Sequence, residues 1–96
     1  MKLRWSARAM RDLAAIEQYI TARDNRVSAR RWINTLRKSA RRAVRNPYAK
    51  RKVPEEDRED LREVLEGNYR IAYLIEPNTV TIARVFEGHL PFPGLR

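Results

Sequence analysis

Cleaving RNA without a metal needs a base for the 2′-hydroxyl, an acid for the leaving oxygen and cations around the phosphorane. Arg62, Arg84 and Lys52 could supply the positive charge, and the acid–base candidates are His89, the only histidine, and Glu87 two residues earlier. Tyr69 or Tyr73 could act near neutral pH only with a strongly tuned pKa. A lone histidine near the end of a chain is more often exposed and idle. No glycine-rich phosphate loop, zinc-ligand spacing or Ser/His/Asp arrangement is present, so no metal and no cofactor is expected.

The same arginines could bind without catalysing. An arginine near aromatic rings on a sheet grips phosphate and stacks on bases, or clasps the carboxylates of an acidic peptide. Arg62 and Arg84, interleaved with Tyr69, Tyr73 and Phe86, fit that description; arginines snorkelling at a sheet rim are the plainer account.

The elements that hold these residues follow from the pattern. Lys2–Trp5 is a short strand candidate, and Ser6 is a good helix N-cap. From Ala7 to about Ala22, Ala9, Leu13, Ile16 and Ile20 recur at helical spacing. A polar break at Arg23-Asp24-Asn25-Arg26 leads to a second helix, from about Arg26 to Arg45, with Ala29, Trp32, Ile33, Leu36, Ala40 and Ala43 as its buried stripe. Asn46-Pro47 ends it, and a loop from Tyr48 to Asp60 carries a basic knot, Lys50-Arg51-Lys52, then an acidic run, Glu55-Glu56-Asp57.

Two apolar runs joined by Gly67-Asn68 read as a β-hairpin with a type II′ turn, pairing Glu66 with Tyr69, Leu65 with Arg70 and Val64 with Ile71. Pro77-Asn78 marks a second turn, which places Thr79 opposite Glu76 and Ile82 opposite Tyr73. Continued without interruption, this register puts Arg62, Tyr69, Tyr73, Arg84 and Phe86 on one face and Glu63, Arg70, Ala72 and Val85 on the other. Glu63 and Arg70 then form a diagonal ion pair. Both faces are largely apolar, whereas a sheet with one wet side alternates cleanly. Two helices cover one face, so the other is expected to lie open as a docking surface.

Length and charge bound the rest. The 96 residues are expected to make a single domain, residues 1–96, with one modest core. No run approaches the ~20 apolar residues of a membrane helix, and the charged N-terminus is unlike a signal peptide. With no cysteine, a cytoplasmic protein is the simplest reading. Residues 1–52 hold 16 Lys/Arg and 3 Asp/Glu, residues 53–96 hold 5 and 9, so +13 and −4 sum to the net +9. Such a basic half implies an anionic partner, nucleic acid or an acidic protein segment. The second helix is its densest part; its cationic outer side is either a solvated surface or one that faces phosphates or acids.

The order strand, helical pair, loop and three-stranded meander resembles the RelE/ParE superfamily of toxins from type II toxin–antitoxin systems, nearest the ParE branch. The stretches that carry the resemblance are WSARAMRDLAAIEQYI, ARDNRVSARRWINTL, NPYAKRKVPE, LREVLEGNYRIAYLI and VTIARVF. The resemblance implies an α+β fold, with an N-terminal strand and a helical hairpin packed on a C-terminal three-stranded antiparallel meander. It implies a cognate antitoxin partner with an acidic, partly disordered tail. It also implies a target: DNA gyrase, inhibited without catalysis, if ParE-like, or mRNA in the ribosome, cut by an endonuclease, if RelE-like. Arg62 matches a position that carries arginine in RelE-type members. Arg51 keeps the arginine of the family's Gly-Arg after the mid-chain proline, and joins Arg62, Tyr69, Tyr73, Arg84 and Phe86 as a partner-binding candidate. Near the end, Glu87 and Leu90 replace the histidine and arginine of the family's Val-x-His-Gly-x-Arg stretch. A non-toxic nucleic-acid-binding module is the third reading the charge allows.

Overall fold

The computed structural model describes residues 1–96. Strand β1 (Lys2–Trp5) leads into helices α1 (Ala7–Arg23) and α2 (Arg26–Val44), a 3-10 turn (Pro47–Ala49), and strands β2 (Arg51–Lys52), β3 (Leu61–Glu66), β4 (Tyr69–Glu76) and β5 (Thr79–Glu87). The first helix starts at the expected cap, Ser6, and the second at Asn25, within the polar break. Ser6 Oγ accepts from the Ala9 amide at 3.0 Å and Asn25 Oδ1 from that of Ser28 at 2.8 Å, each satisfying an amide that the helix leaves free. Ser6 Oγ also donates to the Ala83 carbonyl, which fixes the start of α1 on β5.

The expected α+β arrangement is present, with a wider sheet. The meander β3-β4-β5 gains β1 at one edge and the two-residue β2 at the other, in the order β1-β5-β4-β3-β2. β1 runs parallel to β5, and the other pairs are antiparallel. The β3–β4 register is the expected one. Gly67 sits at φ 56° while Asn68 keeps a negative φ, as a type II′ turn requires.

The β4–β5 register holds from Glu76/Thr79 to Tyr73/Ile82 and then slips by one residue, so that Ala72 faces Arg84 and Arg70 faces Phe86. This β-bulge corrects the expected face assignment. Because side chains alternate, one extra residue moves Arg84 and Phe86 to the face of Arg70 and brings Val85 to the helical side.

The helices cover the face that bears Tyr69, Ile71, Tyr73 and Ile75, through Ala9, Leu13, Leu36, Ala40 and Ala43. The opposite face was expected to be open, and it is roofed by the chain itself. Val53, Leu61, Ala72 and Phe86 are buried there under the half-buried Phe92 and Leu95 of the C-terminal segment, with the Phe86 and Phe92 rings edge-to-face at 5.9 Å. The sheet is apolar on both sides because both sides are covered.

Candidate functional site

The second face is organised by two buried arginines. Arg70 donates to Glu63 at 2.9 Å and, by two more N–H groups, to Glu55 at 3.0 and 2.7 Å; one of these also reaches the Leu90 carbonyl. Its guanidinium lies 4.7 Å from the centre of the Phe86 ring. Glu63 accepts in addition from Arg51 at 2.6 Å, so a fully buried carboxylate joins a buried arginine to a half-exposed one. The hydrogen bonds that Arg70 donates hold the Glu55 carboxyl down at about 2, and those it gives to Glu55, the largest influence on it, raise the pKa of Arg70.

Arg84 is equally enclosed. It donates to both oxygens of Asp12, at 2.9 and 3.3 Å, and to the carbonyls of Gly94 and Arg96. Asp12 also accepts the Val85 amide, so one carboxylate on α1 holds the strand just past the bulge. Arg62 spans the loop before β3: it donates to Glu59, by side chain and carbonyl, and to the carbonyls of Tyr48 and Lys50. Lys52 pairs with Glu59 at 3.0 Å and Asp57 at 3.6 Å.

The structure therefore does not bring Arg62, Arg84 and Lys52 together around one empty position. Each already meets a carboxylate, which occupies the guanidinium and ammonium donors that a phosphorane would need. Tyr73 is buried under the helices with its hydroxyl donating to the Pro47 carbonyl at 2.7 Å, and burial pushes its pKa up to about 12. Tyr69 packs edge-to-face on Trp32 at 5.7 Å, and burial raises its pKa as well. Neither ring lies on an open platform, and Phe86 is buried beneath the tail. Of the six residues expected to meet a partner, Arg51 alone is substantially exposed in the folded chain.

Glu87 and His89 are exposed and 3.4 Å apart, at one end of a cleft of about 630 Å³. Tyr19, Arg23, Arg51, Leu65 and Tyr69 form its other walls. The Arg23 guanidinium donates to the Tyr19 hydroxyl at 2.6 Å. Sequence reasoning missed the acids that saturate the sheet cations, Asp12, Glu55 and Glu59. Asp12 left one signal, a carboxylate next to Leu13 on the edge of the buried stripe of α1. The other two lay in a loop whose fold no periodicity specifies.

Free positive charge lies elsewhere. α2 contains no Asp or Glu and seven Lys/Arg, with Arg45 at its C-cap as an eighth. Of these only Arg42 has an acidic partner, Glu66 at 3.2 Å.

Residues 3–89 match the family described as the ParE toxin of type II toxin–antitoxin systems, parDE. The chain belongs to the ParE toxin family. No curated protein matches the sequence. Among solved structures, the "Chromosomal ParDE TA system from P. aeruginosa" superposes with a TM-score of 0.78 over 91% of this chain and 95% of that one, at 17% identity. A likeness at that identity establishes a common fold. This ParE-family chain keeps the two helices on an antiparallel meander, and no helix in it is long and apolar enough to cross a membrane.

Proposed function

We propose that this ParE-family toxin inhibits DNA gyrase without catalysing a reaction, and that an acidic antitoxin neutralises it. The observation that carries the non-catalytic reading is the saturation of the sheet cations by carboxylates. Arg62, Arg70, Arg84 and Lys52 each meet at least one acid within hydrogen-bonding distance. A ribonuclease needs such cations unpaired around the transition state, and needs a base that ionises near neutrality. The buried tyrosines do not supply one.

The antitoxin reading draws on the net charge of +9 and on Arg51, the candidate contact that is half-exposed in the folded chain. Purified toxin added to gyrase, relaxed plasmid and ATP is expected to block supercoiling or to accumulate cleaved DNA. Unaffected supercoiling at excess toxin would overturn the proposal.

The Glu87–His89 pair in its cleft favours a second reading, the ribosome-dependent mRNA endonuclease. Primer extension on translated mRNA separates the two. Codon-spaced cuts that disappear in His89→Ala would assign catalysis to the cleft.

A further inference from the structure

The exposed side of α2 is the largest concentration of unneutralised charge in the molecule. Arg26, Arg30, Arg41 and Arg45 are exposed at intervals of four, eleven and four residues, which at 3.6 residues per turn keeps them within one stripe; Arg37, between them, is half-buried with its guanidinium 5.4 Å from the centre of the Trp5 ring. Arg31 and Lys38 lie beside it, with no acidic partner. From Arg26 to Arg45 the stripe runs ~28 Å, at ~1.5 Å of rise per residue. The groove between α1 and α2 adds only Glu17, which makes no ion pair with Arg26 or Arg30.

From this surface we infer that α2 docks on the phosphate backbone of duplex DNA, independently of base sequence. Two features favour a nucleic acid over an acidic polypeptide. Protein interfaces have an apolar or aromatic centre from which charged residues are depleted, and the outer side of α2 exposes one large apolar residue, Val27, at its far N-terminal end. Protein–DNA interfaces are far more polar and positively charged, and hold their polyanion by many point contacts. The stripe also has the length to follow most of a helical turn of the duplex, ~34 Å. This contrasts with strands β3 to β5, where Arg62, Arg70 and Arg84 are each already bound to a carboxylate. A toxin that leaves gyrase untouched would still bind DNA in this way.

The test is fluorescence anisotropy with a labelled mixed-sequence duplex of ~24 base pairs, long enough for two turns, titrated at several salt concentrations. About four phosphate contacts give a log–log salt slope near −3.6, so affinity falls about 150-fold between 50 and 200 mM salt. The triple variant Arg30→Gln, Arg41→Gln, Arg45→Gln removes about three contacts and is expected to bring the slope close to −1. The matching Arg→Lys triple keeps the charge and is expected to keep the slope, while Arg58→Gln, in the loop and paired with Asp60, leaves it unchanged. Glutamine is a good helix former, and thermal melting verifies that the variants fold. An unchanged slope in the glutamine triple overturns the assignment. So does tighter binding of poly-L-glutamate than of the duplex at equal ionic strength with loss in the same variants, which would make the surface a site for an acidic polypeptide.

Discussion

Arg70 reaches diagonally across the β3–β4 hairpin to Glu63 at 2.9 Å, with both side chains at most 5% exposed. Breaking one side of a buried pair leaves the other charge uncompensated and costs about 3–5 kcal/mol. Glu63 also holds Arg51. Glu63→Gln is therefore expected to lower stability by about 3 kcal/mol, seen as a fall in the urea midpoint with an unchanged m-value. Replacing both partners, Glu63→Leu with Arg70→Met, is expected to recover at least half of that loss.

Gly67 is needed twice. Its φ is 56°, and a Cβ added there would stand 2.5 Å from Cη2 of Trp32. Gly67→Ala strains the turn and pushes Trp32 off Tyr69, so a loss of about 2–3 kcal/mol is expected. Thermal melting with tryptophan fluorescence checks both effects at once, because Trp32 reports its own displacement.

Acid should weaken the second face through Glu55. Its carboxyl ionises at about 2 in the folded chain, against 4.5 as an ordinary glutamate. A depressed folded pKa gives stability that is fully present above the unfolded value and is lost as pH falls from about 4.5 towards 2. Because the side chain is a third exposed, solvent screening limits this to roughly 1 kcal/mol. Glu55→Gln is expected to flatten the stability profile across that pH window and leave its slope above pH 5 unchanged.

The C-terminal segment stabilises the fold through few contacts. Phe92 packs on Phe86, and its amide donates to Glu55 at 2.9 Å. Phe92→Ala removes a half-buried ring and an edge-to-face pair, for an expected loss of about 1–2 kcal/mol. Binding of a hydrophobic dye should rise as Leu61, Ala72 and Phe86 are uncovered.

Arg62 acts on the loop it clamps. Its contacts to Tyr48, Lys50 and Glu59 close the segment between α2 and β3. Arg62→Ala is expected to speed amide exchange in residues 48–60 at least tenfold and to leave exchange in β4 unchanged, as measured by mass spectrometry.

The parts of this fold legible in the sequence were those set by local rules. Ser6 announced a helix start, Gly67-Asn68 specified a turn and with it the β3–β4 register, and that register placed Glu63 opposite Arg70 on the diagonal. The bulge was not legible: Ala83, the extra residue left without a partner on β4, is an ordinary strand residue, and nothing in VTIARVF marks where the ladder slips. That one residue carried Arg84 and Phe86 to the other face, and the reading of an arginine-and-tyrosine platform went with them. The roof over the second face escaped for a different reason. Residues 90–96 have no periodicity, and Phe92 and Leu95 show their role only once the sheet is built. The acid on Arg84 comes from α1, 72 residues away. Pairings at that separation leave no local pattern.

The parallel contact between β1 and β5 sets an order of events. β1 has no other strand beside it, and Ser6 bonds to Ala83 across 77 positions. During synthesis at about 5–20 residues per second, the opening strand has to wait roughly 4–15 s before its neighbour exists. An interrupted ribosome would release a helical hairpin with an unfinished floor. The sheet is therefore completed last, when β5 leaves the exit tunnel.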